Sequence, residues 1–224
     1  MRLGIFSFLL VLLAGPALGQ TEFTGRWAAD MQKFAKADAE HPSEPGGVVF
    51  VGSSSIRLWD LEKSFPKLDP PALNRGFGGS QLADSIRYAE LLVTSHKPRI
   101  VVIYAGDNDI AAGKTAERVE SDFVKLAEKI QTELPETKIA FIAVKPSTRR
   151  WNLADTIQDA NARVAKRCAD NDQWTFIDVW KPMLGEDGKP REELLRDDGL
   201  HMTDKGYELW SSLVRPLLKD EDQK

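Results

Sequence analysis

The sequence predicts a single α/β domain in which a parallel β-sheet is covered by helices on both faces, and three observations predict it. Short apolar runs alternate with longer segments whose apolar residues recur every three or four positions, which is typical of alternating strands and helices. The runs at residues 48–51 and 99–105 lack polar alternation, as expected of parallel strands buried on both faces. Glycines and polar residues follow several runs, at the carboxyl edge where open α/β sheets bind ligands.

The elements follow in chain order. We expect five strands, at residues 48–51, 72–77, 99–105, 138–144 and 174–179. The run at 99–105 is the most apolar, which predicts a central position in the sheet. We expect helices at residues 21–39, 81–95, 115–134, 152–169 and 203–218. In the first of these helices, Phe23, Trp27, Met31 and Phe34 form an apolar stripe.

The length and the amino terminus bound the domain organisation. A chain of 224 residues with 42% hydrophobic content can bury one substantial core, so we assign residues 20–224 to one domain. Residues 1–19 combine Arg2, an apolar stretch, Pro16 and then the small residues Ala17 and Gly19, which is typical of a cleavable signal peptide. The apolar stretch is short for a membrane span. We therefore expect a secreted or periplasmic protein without a stable membrane anchor.

Composition excludes several classes of partner. The formal net charge of −4 provides no global basic field for nucleic acid or anionic membranes. Cys168 is the only cysteine, so an intrachain disulfide or a cysteine-based metal cluster is excluded; its helical spacing indicates a packing role. Asp107 and Asp109 could bind a divalent ion, but no histidine lies nearby in the sequence and a turn is favoured. We expect no metal and no cofactor.

A serine-rich turn ends the first predicted strand. Gly52 is followed by Ser53, Ser54 and Ser55, so the strand delivers a serine to the carboxyl edge of the sheet, where it could act as a nucleophile. The alternative is a serine that only caps a helix beginning at Ile56.

A nucleophilic serine needs a base, and one of the three histidines is suitably placed. His41 and His96 precede strands, whereas His201 follows the last one. Asp198 stands three residues before His201 and could orient its ring. The alternative is a surface loop in which His201 merely precedes the helix cap Thr203.

Oxyanion donors are also available at the carboxyl edge. The Gly78 and Gly79 amides and the Asn108 side chain follow the second and third strands, and such groups can stabilise the anionic oxygen of an acyl-transfer intermediate. The alternative is that these residues only form turns.

The sequence resembles the SGNH (GDSL-type) serine hydrolases over essentially the whole mature chain. The resemblance lies in four segments that occur in the family's order with similar spacing, namely residues 52–54 (Gly-Ser-Ser), 74–79 (Asn-Arg-Gly-Phe-Gly-Gly), 106–109 (Gly-Asp-Asn-Asp) and 198–201 (Asp-Gly-Leu-His). One position departs from the pattern, because Ser53 stands where the family has aspartate.

The resemblance implies a flavodoxin-like, three-layer α/β/α sandwich with a five-stranded parallel sheet, and metal-free ester hydrolysis. It implies that Ser54 is the nucleophile, His201 the base and Asp198 the orienting acid. The Ser54 amide, the Gly79 amide and the Asn108 side chain would form the oxyanion hole.

The residues around these four segments predict the substrate preference. No long apolar insertion is left to cover a lipid tail, so short acyl groups are expected. Arg149, Arg150 and Trp151 follow the fourth strand and Trp59 follows the first helical turn; a guanidinium beside an aromatic face suits a sugar or an acidic leaving group. The alternative is that Arg149, Arg150 and Trp151 belong to a solvated loop and that Trp59 is a core residue. We hypothesise deacetylation of a carbohydrate or another small polar ester.

The sequence is also compatible with other activities. A lysophospholipase-like or thioesterase-like hydrolase, or a sugar O-acyltransferase, would use the same residues. A non-catalytic carbohydrate-binding domain would keep the fold without turnover, and Ser53 in place of aspartate is the feature that favours it.

Overall fold

One parallel sheet organises residues 23–218, the part of the chain that a computed structural model describes. Its strands are β1 (Val48–Gly52), β2 (Leu73–Gly76), β3 (Ile100–Tyr104), β4 (Lys138–Ile142) and β5 (Trp174–Ile177). Every neighbouring pair is parallel, in the order β2-β1-β3-β4-β5. The prediction of a central third strand is confirmed, because β3 lies between β1 and β4.

Helices connect successive strands. Within residues 23–218 the α-helices are α1 (Ala28–Glu40), α2 (Ser54–Arg57), α3 (Leu61–Ser64), α4 (Leu82–Arg87), α5 (Ala89–Leu92), α6 (Asp107–Ala111), α7 (Ala116–Glu133), α8 (Ala154–Ala169) and α9 (Asp204–Val214). Short 3₁₀ helices lie at Thr94–His96, Thr148–Leu153, Lys181–Met183, Glu192–Leu194 and Arg215–Leu218.

The sheet separates two hydrophobic cores, because successive strand side chains point to opposite faces. Val49 and Val51 of β1 pack in one core with α1, α4, α5, α7 and α8. Phe50, between them, packs in the other core with α2, α3 and α9. Each fully buried side chain of this kind stabilises the fold by roughly 1.5–3 kcal/mol. The predicted three-layer α/β/α sandwich with a five-stranded parallel sheet is therefore confirmed.

Two predicted helices have different boundaries. The helix expected at residues 81–95 is interrupted at Tyr88, whose φ of −107° and ψ of 18° are not helical. After this break the chain changes its packing: α4 packs against α7, whereas α5 contacts both α1 and α7. The helix expected at residues 21–39 begins at Ala28, because a turn at Gly25, which has a φ of +90°, precedes it. Residues 21 and 22 lie outside the described residues.

Trp59 is a core residue, so its suggested place beside the substrate is wrong. Its side chain is 3% exposed and packs against Phe50 and Trp210. The indole N–H donates a hydrogen bond of 2.9 Å to Ser64 Oγ. An indole ring can bury its large apolar surface when its N–H finds such a partner. The burial of that surface stabilises Trp59 in the core.

Cys168 is buried on α8, as its helical spacing predicted. Burial raises the pKa of its thiol to about 12, so the reactive thiolate is scarcely populated near neutral pH.

No helix between residues 23 and 218 is both long and apolar enough to cross a membrane. The predicted signal peptide at residues 1–19 lies outside the described residues.

Candidate active site

The serine turn follows β1 directly and is shaped by Gly52. This glycine has a φ of +145°, and a Cβ atom there would lie 1.9 Å from the Tyr104 carbonyl oxygen of β3. Only glycine tolerates both that backbone conformation and that close approach. Ser53 then occupies the N-cap position of α2, and Ser54 is the first helical residue. A helix does begin here, as the capping alternative expected, but the Ser53 side chain makes no capping hydrogen bond.

Burial distinguishes the three hydroxyl groups of this turn. Ser53 is 1% exposed, and its Oγ has no hydrogen-bond partner within residues 23–218. Ser55, the second residue of α2, is 2% exposed. Ser54 is half-buried, and its Oγ faces His201. Among the three, Ser54 alone combines access to solvent with a basic partner.

Ser54, His201 and Asp198 form a continuous hydrogen-bonded series. The distance between Ser54 Oγ and His201 Nε2 is 3.0 Å, across 147 positions of sequence. His201 Nδ1 lies 2.5 Å from Asp198 Oδ2. The other carboxylate oxygen of Asp198 accepts hydrogen bonds of 2.9 Å from the Leu200 and His201 amides. The structure thus brings together the three residues that the sequence predicted as a catalytic triad, in the order that base catalysis requires.

The same hydrogen bonds control the ionisation of Asp198. Partial removal from water favours its neutral form, but the hydrogen bonds from the His201 ring and from the His201 and Leu200 amides outweigh this effect. The pKa of Asp198 therefore lies well below its usual range. The carboxylate is ionised at neutral pH and can hold His201 with a proton on Nδ1, which leaves Nε2 free to accept the Ser54 proton.

The predicted oxyanion donors converge on the same edge. Gly79 adopts a φ of +77°, a left-handed conformation that favours glycine. Neither the Gly79 amide nor the Ser54 amide has an acceptor among residues 23–218, so both are available to a ligand. Asn108 Nδ2 donates to the Ser80 carbonyl oxygen at 3.0 Å. Because this nitrogen carries two hydrogens, one remains for a ligand.

Arg150, expected at the substrate, contacts protein groups instead. Its Nη2 donates a 2.9 Å hydrogen bond to Asn108 Oδ1, and its Nη1 lies 3.0 Å from Asp107 Oδ2. Lys145, which is 1% exposed, approaches the same carboxylate oxygen at 3.7 Å. Burial lowers the pKa of Lys145, and the nearby Asp107 opposes this effect. Three charged groups therefore meet directly beside Asn108.

Sequence reasoning missed Lys145 and Asp107 as members of the site. The sequence favours a turn at Asp107, and it predicts for Lys145 only that it follows the fourth strand. A signal did exist for Lys145, since it directly follows the apolar run at residues 139–144. A lysine at the carboxyl end of a buried strand is almost never fully buried without a paired charge.

Arg149 and Trp151 lie beside the segment that carries His201. Arg149 has an exposed side chain and donates its backbone N–H to the Gly199 carbonyl oxygen at 3.0 Å. Trp151 is half-buried and stacks on Trp180, with ring centroids 6.0 Å apart. Their predicted substrate contacts remain predictions.

Trp151 also lines a cavity of about 660 Å³. One wall comes from the loop after β4 and the other from the chain between β5 and α9. The lining residues are Thr148, Trp151, Gly185, Asp187, Lys189, Pro190, Arg191, Glu192 and Glu193. Both walls bond to the His201 segment, because Thr148 Oγ1 donates to the Gly199 carbonyl oxygen and Thr203 Oγ1 donates to the Glu193 carbonyl oxygen.

The other two histidines lie away from this edge, as predicted. His41 follows α1 and is exposed. His96 is buried just before β3, where its ring bonds to Ser43 Oγ at 2.7 Å and to the Leu91 carbonyl oxygen at 3.0 Å. Both precede strands, so they lie at the amino edge of the sheet.

The triad geometry predicts how hydrolysis should depend on pH. We expect kcat/KM to rise from mildly acidic to neutral pH, because only a neutral His201 ring can accept the serine proton. Asp198 should stay ionised throughout, since its pKa is lowered, so a single ionisation should describe the acidic limb. Initial rates with p-nitrophenyl acetate across this range would measure it. A flat profile, or an acidic limb that requires two protons, would contradict the assignment.

Comparison with known proteins places the chain near one family. The sequence profile of the GDSL-like Lipase/Acylhydrolase family matches residues 61–209. This span includes Gly79, Asn108, Asp198 and His201 and begins just after Ser54. It covers more than half of the chain.

Individual relatives agree with this match. The platelet-activating factor acetylhydrolase IB subunit alpha2 of Gallus gallus is 28% identical over 142 residues, which make up 62% of this chain and 58% of that protein. A GDSL-like lipase structure from Bacteroides thetaiotaomicron has a TM-score of 0.73 and 23% identity, covering 85% of this chain and 97% of that one. A carbohydrate esterase family 3 structure from Talaromyces cellulolyticus has a TM-score of 0.62 and 20% identity, covering 77% and 96% respectively. At these identities, the two structures show a shared fold.

Proposed function

The chain belongs to the GDSL-like Lipase/Acylhydrolase family, whose members are hydrolases that act on esters, and we propose that it hydrolyses short-chain, chiefly acetyl, esters of a carbohydrate or another small polar compound. The observation that carries this proposal is the hydrogen-bonded series from Ser54 Oγ through His201 to Asp198. A half-exposed serine beside such a histidine is equipped for nucleophilic attack on a carbonyl carbon.

The proposed reaction has two steps. Ser54 Oγ attacks the ester carbonyl while His201 Nε2 takes its proton, and the negative charge that develops on the carbonyl oxygen is stabilised by the Ser54 and Gly79 amides and by Asn108. His201 then gives the proton to the leaving alcohol, and an acyl-enzyme remains. Water, deprotonated by His201, then attacks the acyl carbonyl carbon. The bond between that carbon and Ser54 Oγ breaks, His201 returns the proton to Ser54 Oγ, and the acid is released.

The cavity adjoins the His201 segment without being lined by Ser54, Asp198 or His201, and its lining favours a polar substrate. Lys189 and Arg191 supply cations and Asp187, Glu192 and Glu193 supply carboxylates, while the Trp151 ring stacks on Trp180 and its centroid lies 5.2 Å from Lys189 Nζ. A long acyl chain placed here would strip water from these charges without replacing their hydrogen bonds. A polyhydroxylated group can both donate to the carboxylates and accept from the cations.

The chain between β5 and α9 offers little apolar surface for a lipid tail, because Leu184 and Leu200 are the only large apolar side chains of this segment that are not fully buried. Its large apolar side chains Met183, Leu194 and Leu195 are between 1% and 6% exposed and belong to the core on the α9 face of the sheet. Two similar proteins, an acetylhydrolase and a carbohydrate esterase, agree by name with a short acyl group and a sugar.

Acyl-chain selectivity tests the short-acyl part of the proposal. We expect kcat/KM for p-nitrophenyl esters to be highest for acetyl and to fall through butyryl and octanoyl to palmitoyl, because the cavity beside the His201 segment is lined mostly by charged and polar groups that do not favour a longer chain. Rates should be measured below the micelle-forming concentration of each ester. A maximum at octanoyl or longer would contradict the short-acyl assignment and favour a lysophospholipase-like or thioesterase-like role.

Acetylated sugars test the carbohydrate part of the proposal. Trp151→Ala should raise KM for an acetylated oligosaccharide and leave KM for p-nitrophenyl acetate unchanged, because only the sugar extends into the cavity. Product analysis in the presence of an acceptor sugar separates hydrolysis from acyl transfer. Loss of acetyl donor without release of acetate would favour the transferase.

The composition of residues 1–19 supports export of the enzyme, and we include a secreted or periplasmic location in the proposal. Amino-terminal sequencing of the protein recovered from expressing cells tests it. The expected first residue is Gln20, and an intact Met1 in the mature protein would contradict export through this segment.

A further inference from the structure

We propose that Arg150 is a positioning residue, which fixes the Asn108 side-chain amide so that one of its N–H groups faces the oxyanion of the reacting ester. This inference rests on the proposed ester hydrolysis. It assigns to Arg150 a role that differs from the substrate contact expected from the sequence.

The first step of the argument is the orientation of the Asn108 amide. Its Oδ1 accepts a 2.9 Å hydrogen bond from Arg150 Nη2, while its Nδ2 donates to the Ser80 carbonyl oxygen at 3.0 Å. A rotation of the amide by half a turn would place the NH₂ group against the guanidinium and Oδ1 against the carbonyl. Both new contacts would be repulsive, so Arg150 and Ser80 together define which way the amide points.

The second step is that Arg150 is itself held in place. Its Nη1 lies 3.0 Å from Asp107 Oδ2, in an ion pair without an aligned hydrogen bond. Asp107 directly precedes Asn108 on α6, so one planar guanidinium spans two successive side chains, a geometry that the compact ammonium of lysine does not reproduce. The Tyr104 hydroxyl also donates to Asp107 Oδ2, at 3.4 Å, and Lys145 Nζ lies 3.7 Å from the same oxygen.

The third step concerns access. The Arg150 side chain is 16% exposed, and both of its terminal nitrogens face protein groups. Its backbone, with a φ of −119° and a ψ of 23°, interrupts the 3₁₀ helix Thr148–Leu153. The guanidinium is mostly buried, and its Nη1, which makes no aligned hydrogen bond, is closed off from solvent. Arg150 is therefore placed to act through Asn108 and not by contact with a substrate.

Steady-state kinetics with p-nitrophenyl acetate test this role. Asn108→Ala should lower kcat about 10²- to 10³-fold, the usual effect of removing one oxyanion donor. Arg150→Ala should lower kcat about 10- to 100-fold with KM changed less than about two-fold, because a disordered donor is lost only from the transition state. Arg150→Lys should recover part of the activity, since one N–H can still reach Asn108.

The double variant gives the sharpest readout. If Arg150 acts only through Asn108, the variant with both alanine substitutions should be no slower than Asn108→Ala alone. A short alkylboronic acid gives a second readout, because its adduct with a nucleophilic serine carries a negatively charged oxygen like that of the tetrahedral intermediate. Its Ki should rise in Arg150→Ala in parallel with the loss of kcat.

Arg163→Ala is the matched control. Arg163 also binds carboxylates, Glu117 and Asp159, but on the outer surface of α7 and α8. We expect unchanged kcat, KM and boronate Ki for this variant. Circular dichroism of every variant checks that the fold is retained, and Arg150→Lys preserves the buried cation if the alanine variant unfolds.

Several results would overturn the inference. A raised KM with unchanged kcat in Arg150→Ala would make Arg150 a substrate-binding residue. A double variant whose loss equals the product of the two single losses would mean that Arg150 acts independently of Asn108. Failure of the underlying function is a distinct result, since the wild-type protein would then hydrolyse none of the esters.

Discussion

Ser54→Ala should abolish ester hydrolysis, with a loss of kcat of up to about 10⁶-fold, as is found when a triad serine is removed from other hydrolases. The physical reason is that Ser54 Oγ is the hydroxyl at 3.0 Å from His201 Nε2. Without it, the oxyanion donors can still bind the ester but no acyl-enzyme can form. Initial rates with p-nitrophenyl acetate, together with mapping of a fluorophosphonate adduct by mass spectrometry, measure the effect.

The two neighbouring serines are matched controls for this variant. Ser53→Ala removes a buried hydroxyl that has no hydrogen-bond partner within residues 23–218, so it should keep most of the activity and should not lower stability. Ser55→Ala should also keep most of the activity, because that side chain is 2% exposed. An adduct on Ser53 or Ser55, or an active Ser54→Ala variant, would reject the nucleophile assignment.

Asp198→Asn should have the second largest effect, a loss of kcat of about 10⁴-fold. The carboxylate accepts from His201 Nδ1 at 2.5 Å, which keeps the proton on that nitrogen. An amide NH₂ in the same place would donate to Nδ1 and move the ring proton to Nε2. His201 could then no longer accept the Ser54 proton, although the shape of the site would be nearly unchanged.

Asp197→Asn is the control for that variant, because it removes an adjacent exposed carboxylate of equal charge. We expect its kcat and KM to match those of the wild type. The two variants should be compared by kcat/KM and by the rate of fluorophosphonate labelling of Ser54. Labelling of Asp198→Asn at the wild-type rate would show that Asp198 is not needed to prepare the base.

The sequence by itself determined the class of the fold. Apolar runs without alternation predicted buried parallel strands, and the most apolar of them, β3, lies in the centre of the sheet. This succeeded because burial on both faces leaves a composition signal that depends on the local chain alone. Helix boundaries were less well predicted. The break at Tyr88 separates a helix that packs on α7 from one that contacts both α1 and α7, and no local pattern encodes which partners each segment meets.

The sequence also singled out Asp198, His201 and a serine of the turn after β1, because each follows a strand and parallel strands end at one edge, and the family resemblance chose Ser54 among the three serines. It could not establish that Ser54 and His201, 147 positions apart, lie within hydrogen-bond distance. Nor could it rank Ser54 above Ser53 by chemistry alone, since all three hydroxyls of the turn are identical. The close approach of Gly52 to β3 and the start of α2 at Ser54 decide which one is accessible.

Only the tertiary structure decided what the larger side chains near the site do. Trp59 and Arg150 both suited a substrate surface by residue type, but Trp59 packs against Phe50 and Trp210. Arg150 reaches Asp107 and Asn108, more than 40 positions away in the sequence. A long side chain is placed by whichever partner best satisfies its apolar surface or its charge, and those partners come from other strands and helices. Their positions exist only once the chain has folded.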